Sequence, residues 1–165
     1  MWTWGWGHAG SLGHNDEQNR RSPALLAAEQ LGGSTIVMVA TGDAHTVAVG
    51  EDGVPWLWGY GEYGQLGLGD TADRWVPYQL GAEAAFGGSR VHMAARGIKH
   101  TLFLTREGVL WACGDGTSSQ RLNNELGKPV LTRVGPQDVS GACITAVAAG
   151  DTHTAAPSED GSFYT

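Results

Sequence analysis

The amino-acid sequence predicts an all-β protein, a partial β-propeller of about three four-stranded blades. The first reason is composition, because the 165 residues include 26 glycines and seven tryptophans. Glycine weakens the interior of helices and strands, so this composition favours many short strands joined by tight turns. The second reason is an internal repeat of about 54 residues, which is in the range that propeller blades have. The length fits one domain.

The repeat is visible in two blocks of sequence and in the spacing of the prolines. Residues 4–13, WGWGHAGSLG, return as residues 58–67, WGYGEYGQLG, and the block G-x-x-H-T occurs at 42–46, 97–101 and 150–154. Prolines at positions 23, 77 and 129 keep the same phase. We therefore expect a single repeat region over residues 1–165. Its units are approximately 1–57, 58–112 and 113–165.

Each unit contains the residue types of short strands. Residues 35–40 and 46–49 are rich in β-branched side chains, and residues 54–58 are apolar and aromatic. Each G-x-x-H-T block is followed by an Asp-Gly or Glu-Gly pair, a strong hairpin signal. The only helix-like segment is residues 23–31, for which we expect one or two turns within a blade connection. Short strands at this period predict propeller blades that share their cores with neighbouring blades.

The combined pattern resembles the repeats of the regulator of chromosome condensation family. Those repeats read approximately W-G-x-x-x-x-G-Q-L-G, a connection with proline, V-x-x-G-x-x-H-T and D-G, and the resemblance extends from Trp2 to Tyr164. It implies a β-propeller, usually of seven four-stranded blades, whereas this chain has three units. The third unit departs further, with Cys113-Gly114 in place of Trp-Gly and residues 119–122 in place of G-Q-L-G.

Three blades alone would leave two open edges and uncovered apolar faces. Tyr164 falls at the repeat position of Trp2, Trp56 and Trp111, where the other units continue into the next repeat. We therefore expect the missing blades to come from a longer polypeptide or from other chains.

Two segments match the dinucleotide-binding pattern G-x-G-x-x-G, at residues 5–10 and 59–64. That pattern binds a pyrophosphate only where a helix begins at its last glycine. Here turn-forming residues follow, and the pattern recurs at the repeat period. We interpret both segments as structural turns and expect no cofactor.

A histidine recurs at one position of each unit and is followed by threonine. Metal ligands converge on one point, whereas equivalent positions of successive blades are distributed around a ring. We therefore predict no metal site and no catalytic residue, and we expect each imidazole to bond backbone groups within its own blade. The repeat positions interpreted as structural are Gly42, His45, Gly97, His100, Gly150 and His153.

The seven tryptophans divide into two groups by repeat position. We expect five to fill the space between blades, namely Trp2, Trp4, Trp56, Trp58 and Trp111. We place Trp6 and Trp75 in connections, where they are more exposed. The repeats also resemble those of plant ultraviolet-B photoreceptors, whose sensing tryptophans lie in G-W-R-H-T. The matching pairs here contain neither Trp nor Arg, which argues against light sensing: Asp43-Ala44, Ile98-Lys99 and Asp151-Thr152.

Charge and cysteine content limit the kinds of partner and compartment. Ten basic and seventeen acidic residues give a net charge of −7, which argues against direct nucleic-acid binding. No apolar run reaches the length of a membrane span, and residues 1–5 resemble no targeting signal. Cys113 and Cys143 predict free thiols, which favours the cytoplasm or nucleus.

These observations favour a non-enzymatic module that mediates protein–protein interaction, as an accessory subunit or a fragment of a larger assembly. The alternative, implied by the resemblance, is guanine-nucleotide exchange on a Ran-like small GTPase. The predicted partners are accordingly other protein chains, including chains that supply missing blades, or a small GTPase. Candidate contact residues are those that depart from the repeat: Trp6, His8, Tyr63, Trp75, Arg121, Asn123 and Asn124.

Overall fold

The structure is a computed structural model that describes residues 1–81, 85–115, 130–134 and 139–165. In these residues the chain forms thirteen short strands, all paired antiparallel, in four sheets. The predicted all-β, partial-propeller architecture is confirmed. Within the described ranges, no helix combines the length and hydrophobicity that crossing a bilayer requires. Two short 3₁₀ helices lie at His8–Gly10 and Ala28–Leu31.

The chain begins with a two-stranded sheet of β1 (Trp2–Gly5) and β2 (Arg20–Leu25). The prediction of helical turns over residues 23–31 is only half right, because β2 continues through Pro23 and helix is limited to the 3₁₀ turn that ends at Leu31. Proline lacks an N–H and has a fixed φ, so it is compatible with an outer strand. The proline of the connection is therefore an edge-strand residue.

The first blade is a four-stranded sheet in the order β3 (Ile36–Thr41), β4 (His45–Gly50), β5 (Pro55–Gly59) and β6 (Arg74–Gln79). Its outer strand β6 contains the second phased proline. The strand also contains Trp75, so the prediction that this tryptophan lies in a connection is wrong. Because β6 lies at the edge of the sheet, the indole is nevertheless exposed.

The second blade repeats this order with β7 (Val91–Arg96), β8 (His100–Thr105), β9 (Leu110–Gly114) and β10 (Thr132–Arg133). The predicted Asp-Gly and Glu-Gly pairs form the turns between the second and third strands. Each blade takes its outer strand from the sequence unit that follows its inner strands. Blade boundaries and repeat-unit boundaries therefore differ.

A three-stranded sheet completes the described fold, with β11 (Ala148–Ala149), β12 (Thr154–Pro157) and β13 (Phe163–Tyr164). Its strands correspond to the first three strands of a blade. Those of the two-stranded sheet β1–β2 correspond to the last two.

The apolar core lies between successive sheets, as the repeat predicts. Each of three apolar clusters joins one sheet to the next, and each contains fully buried side chains. Each sheet is therefore stabilised by burial against its neighbours. The clusters group Leu26 and Leu31 with Trp58, Val47 and Leu57 with Phe103, and Leu102 and Leu104 with Ala156.

Of the five tryptophans predicted to pack between blades, two are buried, two are exposed and one is half-buried. Trp56 and Trp58 are 7% and 0% exposed. Trp2 and Trp4 occupy the same repeat positions in β1, yet each is 58% exposed. Their predicted burial is wrong for the part of the chain that the structure describes, because none of these residues covers that face of β1. Trp111 is half-buried.

Candidate interaction surface

The turns that follow β1 and β5 lie at the same end of successive sheets and have the same construction. The Gly7 N–H donates to Asn19 Oδ1 at 3.0 Å. In the next unit the Gly61 N–H donates to Asp73 Oδ1 at 2.8 Å. In both cases the side chain reaches back from just before the outer strand. The turns are therefore fixed by local hydrogen bonds that recur with the repeat.

A continuous row of aromatic side chains connects these two turns. Trp6 stacks on His8 with ring centroids 4.7 Å apart and an interplanar angle of 17°. His8 lies 6.2 Å from Tyr60, and Tyr60 contacts the edge of Tyr63 at 5.9 Å. Trp6 and His8 are exposed, and both tyrosines are half-exposed. We call Trp6, His8, Tyr60 and Tyr63 the aromatic row.

The row ends on a cation from the second blade. The ammonium group of Lys99 lies 4.1 Å from the centroid of the Tyr63 ring, in a cation–π contact. The same Nζ is 3.9 Å from a carboxylate oxygen of Asp115. The surface thus extends from the two-stranded sheet across the first blade to the second.

Carboxylates flank the aromatic row at several points. The Tyr60 hydroxyl donates to Glu62, and this hydrogen bond is the largest cause raising the pKa of Tyr60 to about 12. Glu17 accepts from the Ala9 N–H at 3.0 Å. Both carboxylates and Asp73 lie on exposed residues. The row is therefore an aromatic surface with an acidic border.

The structure brings three of the predicted contact residues together in the row, namely Trp6, His8 and Tyr63. Sequence reasoning missed Tyr60 and Lys99. Tyr60 occupies the repeat position of Trp6, so the shared position was the available signal for it. Nothing in the sequence placed Lys99, from the second blade, over the ring of Tyr63 in the turn that follows β5 of the first blade.

The other predicted contact residues do not join the row. Trp75 lies on β6, where its Cα and ring occupy the space that a side chain at Gly10 would need. Its carbonyl accepts from the Asn15 N–H at 2.8 Å. Arg121, Asn123 and Asn124 lie outside the described residues.

The turns beneath the row are anchored to the next blade by buried hydrogen bonds. The Ser11 carbonyl accepts from Trp58 Nε1 at 2.8 Å and from Thr46 Oγ1 at 3.0 Å. One unit later the Gln65 carbonyl accepts from Thr101 Oγ1 at 2.7 Å and from Cys113 Sγ at 3.2 Å. The cysteine thus bonds the position that tryptophan bonds in the preceding unit. The turns that carry the aromatic row are therefore hydrogen-bonded to the neighbouring blade.

Two of the three recurring histidines, His45 and His100, act between blades, which corrects the prediction that each imidazole bonds backbone groups within its own blade. His45 Nε2 lies 2.9 Å from Thr101 Oγ1 of the second blade, and both are buried. His100 Nε2 lies 3.4 Å from Thr154 Oγ1 of the following sheet. The physical reason is the inter-sheet packing, which places the start of β4 against the start of β8. His45 and His100 therefore each link one sheet to the next.

Polar contacts fix the protonation of His45. A guanidinium nitrogen of Arg96 lies 3.2 Å from His45 Nδ1. Arginine can only donate, so Nδ1 accepts and Nε2 donates to Thr101 Oγ1, whose own proton goes to Gln65. This arrangement requires a neutral imidazole. Burial, with Arg96 adding to it, lowers the pKa of His45 to about 3, and the same causes lower the pKa of His100 to about 4.

We expect the free energy of unfolding to fall as the pH is lowered below about 6.5. Below that pH the histidines of the unfolded chain become protonated, whereas His45 and His100 stay neutral in the folded protein. Each histidine contributes a slope of up to about 1.4 kcal/mol per pH unit, and the loss continues until its folded pKa is reached. Urea unfolding between pH 7 and pH 5 measures this slope above the carboxylate range. The His45→Gln variant should show a shallower slope. Equal slopes in both proteins would contradict the assignment.

Among the described residues, no group of three or more His, Cys, Asp or Glu side chains is placed to hold a metal ion.

A family model for the regulator of chromosome condensation (RCC1) repeat matches residues 1–49 and 52–104. The chain belongs to the RCC1 repeat family. The two matches end at equivalent repeat positions, Val49 and Leu104, which are 55 residues apart. The period found in the sequence is therefore the period of the RCC1 repeat. The predicted family and its β-propeller architecture are thereby confirmed.

Relatives of this RCC1-repeat chain have different roles. It is 38% identical over 164 residues to the Arabidopsis thaliana ultraviolet-B receptor UVR8, covering 98% of the chain and 36% of the receptor. It is 32% identical over 167 residues to the human E3 ubiquitin-protein ligase HERC2, covering all of the chain and 3% of the ligase. The chain thus spans about a third of the receptor and a small part of the ligase.

Yeast RCC1 (Prp20), in a crystal structure with Kap60, has the same fold. That structure superposes with a TM-score of 0.74 and 21% identity, over 98% of this chain and 38% of its own.

Proposed function

We propose that this chain is a non-enzymatic part of a β-propeller that mediates protein–protein interaction through the aromatic row. The observation that carries the proposal is the unbroken contact from Trp6 to Tyr63, which joins two repeats and stays accessible. Tryptophan and tyrosine are enriched in the energetic centres of protein interfaces. Loops held on a rigid scaffold commonly carry recognition.

The three units 1–57, 58–112 and 113–165 act as one region in this proposal. Supporting this, each complete blade takes strands from two units, and its turns are anchored to the next blade. The chain spans about a third of the receptor it matches, which agrees with a role as an accessory subunit or as a fragment of a larger assembly.

Guanine-nucleotide exchange on a Ran-like small GTPase is the alternative proposal. It is supported by the family to which the chain belongs and by the fold shared with yeast RCC1. Of the two proposed functions, the aromatic row favours protein–protein interaction. Exposed aromatic rings are suited to binding another protein, and they do not by themselves indicate that bound nucleotide is released.

The test compares the proteins that cross-link to the full chain and to two variants. We expect a set of partners to be lost from the double variant Trp6→Ala/Tyr63→Ala and retained by Tyr78→Ala. Tyr78 is an exposed ring on β6, outside the row, and is the matched control. Direct binding of each lost partner is then measured with purified proteins. An identical set from all variants would contradict the proposal. Accelerated GDP release from a Ran-type GTPase would support exchange instead.

A further inference from the structure

The aromatic row has the chemistry of a cation-binding surface. Ring faces attract ammonium and guanidinium groups through the quadrupole of the π system, most strongly in tryptophan. Trp6 is 59% exposed although His8 covers one of its faces. Tyr60 and Tyr63 present further rings along the same line.

The protein already seats one cation on this surface. Lys99 comes from the turn between β7 and β8, and its ammonium group lies over the ring of Tyr63 at 4.1 Å. The ion pair with Asp115 completes the arrangement. At this end of the row, the ring of Tyr63 and the carboxylate of Asp115 together bind the positive charge of Lys99.

The charges around the rest of the row are negative and exposed. Glu17, Glu62 and Asp73 border the rings between Trp6 and Tyr60. The arginines that directly follow Asn19 and Asp73 in the sequence are engaged in ion pairs, since Arg20 pairs with Asp16 at 2.9 Å and Arg74 pairs with Asp70 at 2.7 Å. The chain as a whole has a net charge of −7. Both the local and the long-range fields thus attract a basic partner.

We propose that the aromatic row binds a basic segment of a protein partner, whose arginine or lysine side chains lie over Trp6 and Tyr60 and pair with Glu62. This inference rests on the proposed function and specifies its partner. Lys99 occupies the last ring face of the row, so it competes with the partner for Tyr63. The negative border disfavours acidic segments.

The test measures binding of a labelled glycine-rich peptide that carries arginines, by fluorescence anisotropy with the full chain. The control peptide has citrulline in place of each arginine, so it keeps the shape and loses the charge. We expect the citrulline peptide to bind at least about tenfold more weakly. Replacing Trp6 by Ala leaves the net charge unchanged and should weaken arginine-peptide binding about three- to thirty-fold.

Two further variants sharpen this test. Lys99→Gln frees a ring face and removes a positive charge, so it should strengthen binding about two- to five-fold. Tyr78→Ala removes an exposed ring outside the row and should leave binding unchanged. Circular dichroism verifies that each variant keeps its β structure.

The outcomes separate this inference from the proposed function. If the Trp6→Ala variant binds the arginine peptide as tightly as the unchanged chain does, the peptide is attracted by the net charge and not by the ring of Trp6. That result overturns the inference. If partners are lost from the cross-linked set of the row variant while no arginine peptide binds, the interaction surface stands and its basic partner is refuted. If that set is unchanged, the proposed function itself fails.

Discussion

Replacing Trp58 by alanine should lower the free energy of unfolding by about 3–5 kcal/mol, the usual cost of removing a buried large aromatic side chain. The ring is 0% exposed and packs with Leu26 and Leu31 of the preceding unit. Its Nε1 also donates to the Ser11 carbonyl at 2.8 Å, and the variant loses this bond between units. Urea unfolding followed by circular dichroism measures the change.

The matched control is Trp4→Ala, at the same position of the preceding repeat. Trp4 is 58% exposed, so its removal should change the free energy of unfolding by less than about 1 kcal/mol. Trp58→Phe keeps most of the apolar volume and loses the N–H, so its cost should fall between the two. Equal losses from the two alanine variants would show that Trp58 does not bind one unit to the next.

The sequence predicted the repeat-level features of this fold because those features are local. Asp52-Gly53 and its counterparts form hairpin turns, since their chemistry requires only neighbouring residues. Blade limits were not predictable in the same way. A periodic pattern has no residue that marks its own beginning, so the outer strand β6 was not assigned to the blade of β3.

The candidate surface was partly predictable for a related reason. Departure from the repeat selected Trp6, His8 and Tyr63, which do lie together. The contact of Lys99 with Tyr63 depends on the rotation between blades, which sequence does not encode locally.

The hydrogen bond between His45 and Thr101 poses a different problem. These residues are 56 apart, about one repeat period, so every unit contains both residue types at the same positions. Bonding within a blade and bonding between blades therefore give the same sequence pattern. Only the packing of β4 against the second blade distinguishes them.

Replacing Gly59 by alanine should also be severely destabilising, because its backbone and its surroundings both exclude a side chain. Its φ is +100°, and a non-glycine residue in such a conformation costs about 1–3 kcal/mol. A Cβ would lie 2.7 Å from the His45 Cα and would collide with the Ala44 carbonyl oxygen. That oxygen accepts from the Tyr60 N–H at 2.8 Å, so the collision also disturbs the aromatic row.

The control is again the equivalent residue of the preceding unit. Gly5 has a φ of +110°, but no atom lies within 4 Å of the place that a Cβ would take, so Gly5→Ala has the conformational cost without the collision. Gly114, with a φ of +112° and the His100 Cα at 2.7 Å, should behave as Gly59 does. We expect the urea midpoint to fall for all three variants, and the Gly59 and Gly114 variants to lose at least about 2 kcal/mol more than the Gly5 variant. Equal losses would mean that the left-handed conformation alone requires glycine here. Larger losses from the Gly59 and Gly114 variants would instead show that glycine is required because β4 approaches β5 closely and β8 approaches β9 closely. The turn that follows β5 begins at this close approach and contributes Tyr60 and Tyr63 to the aromatic row.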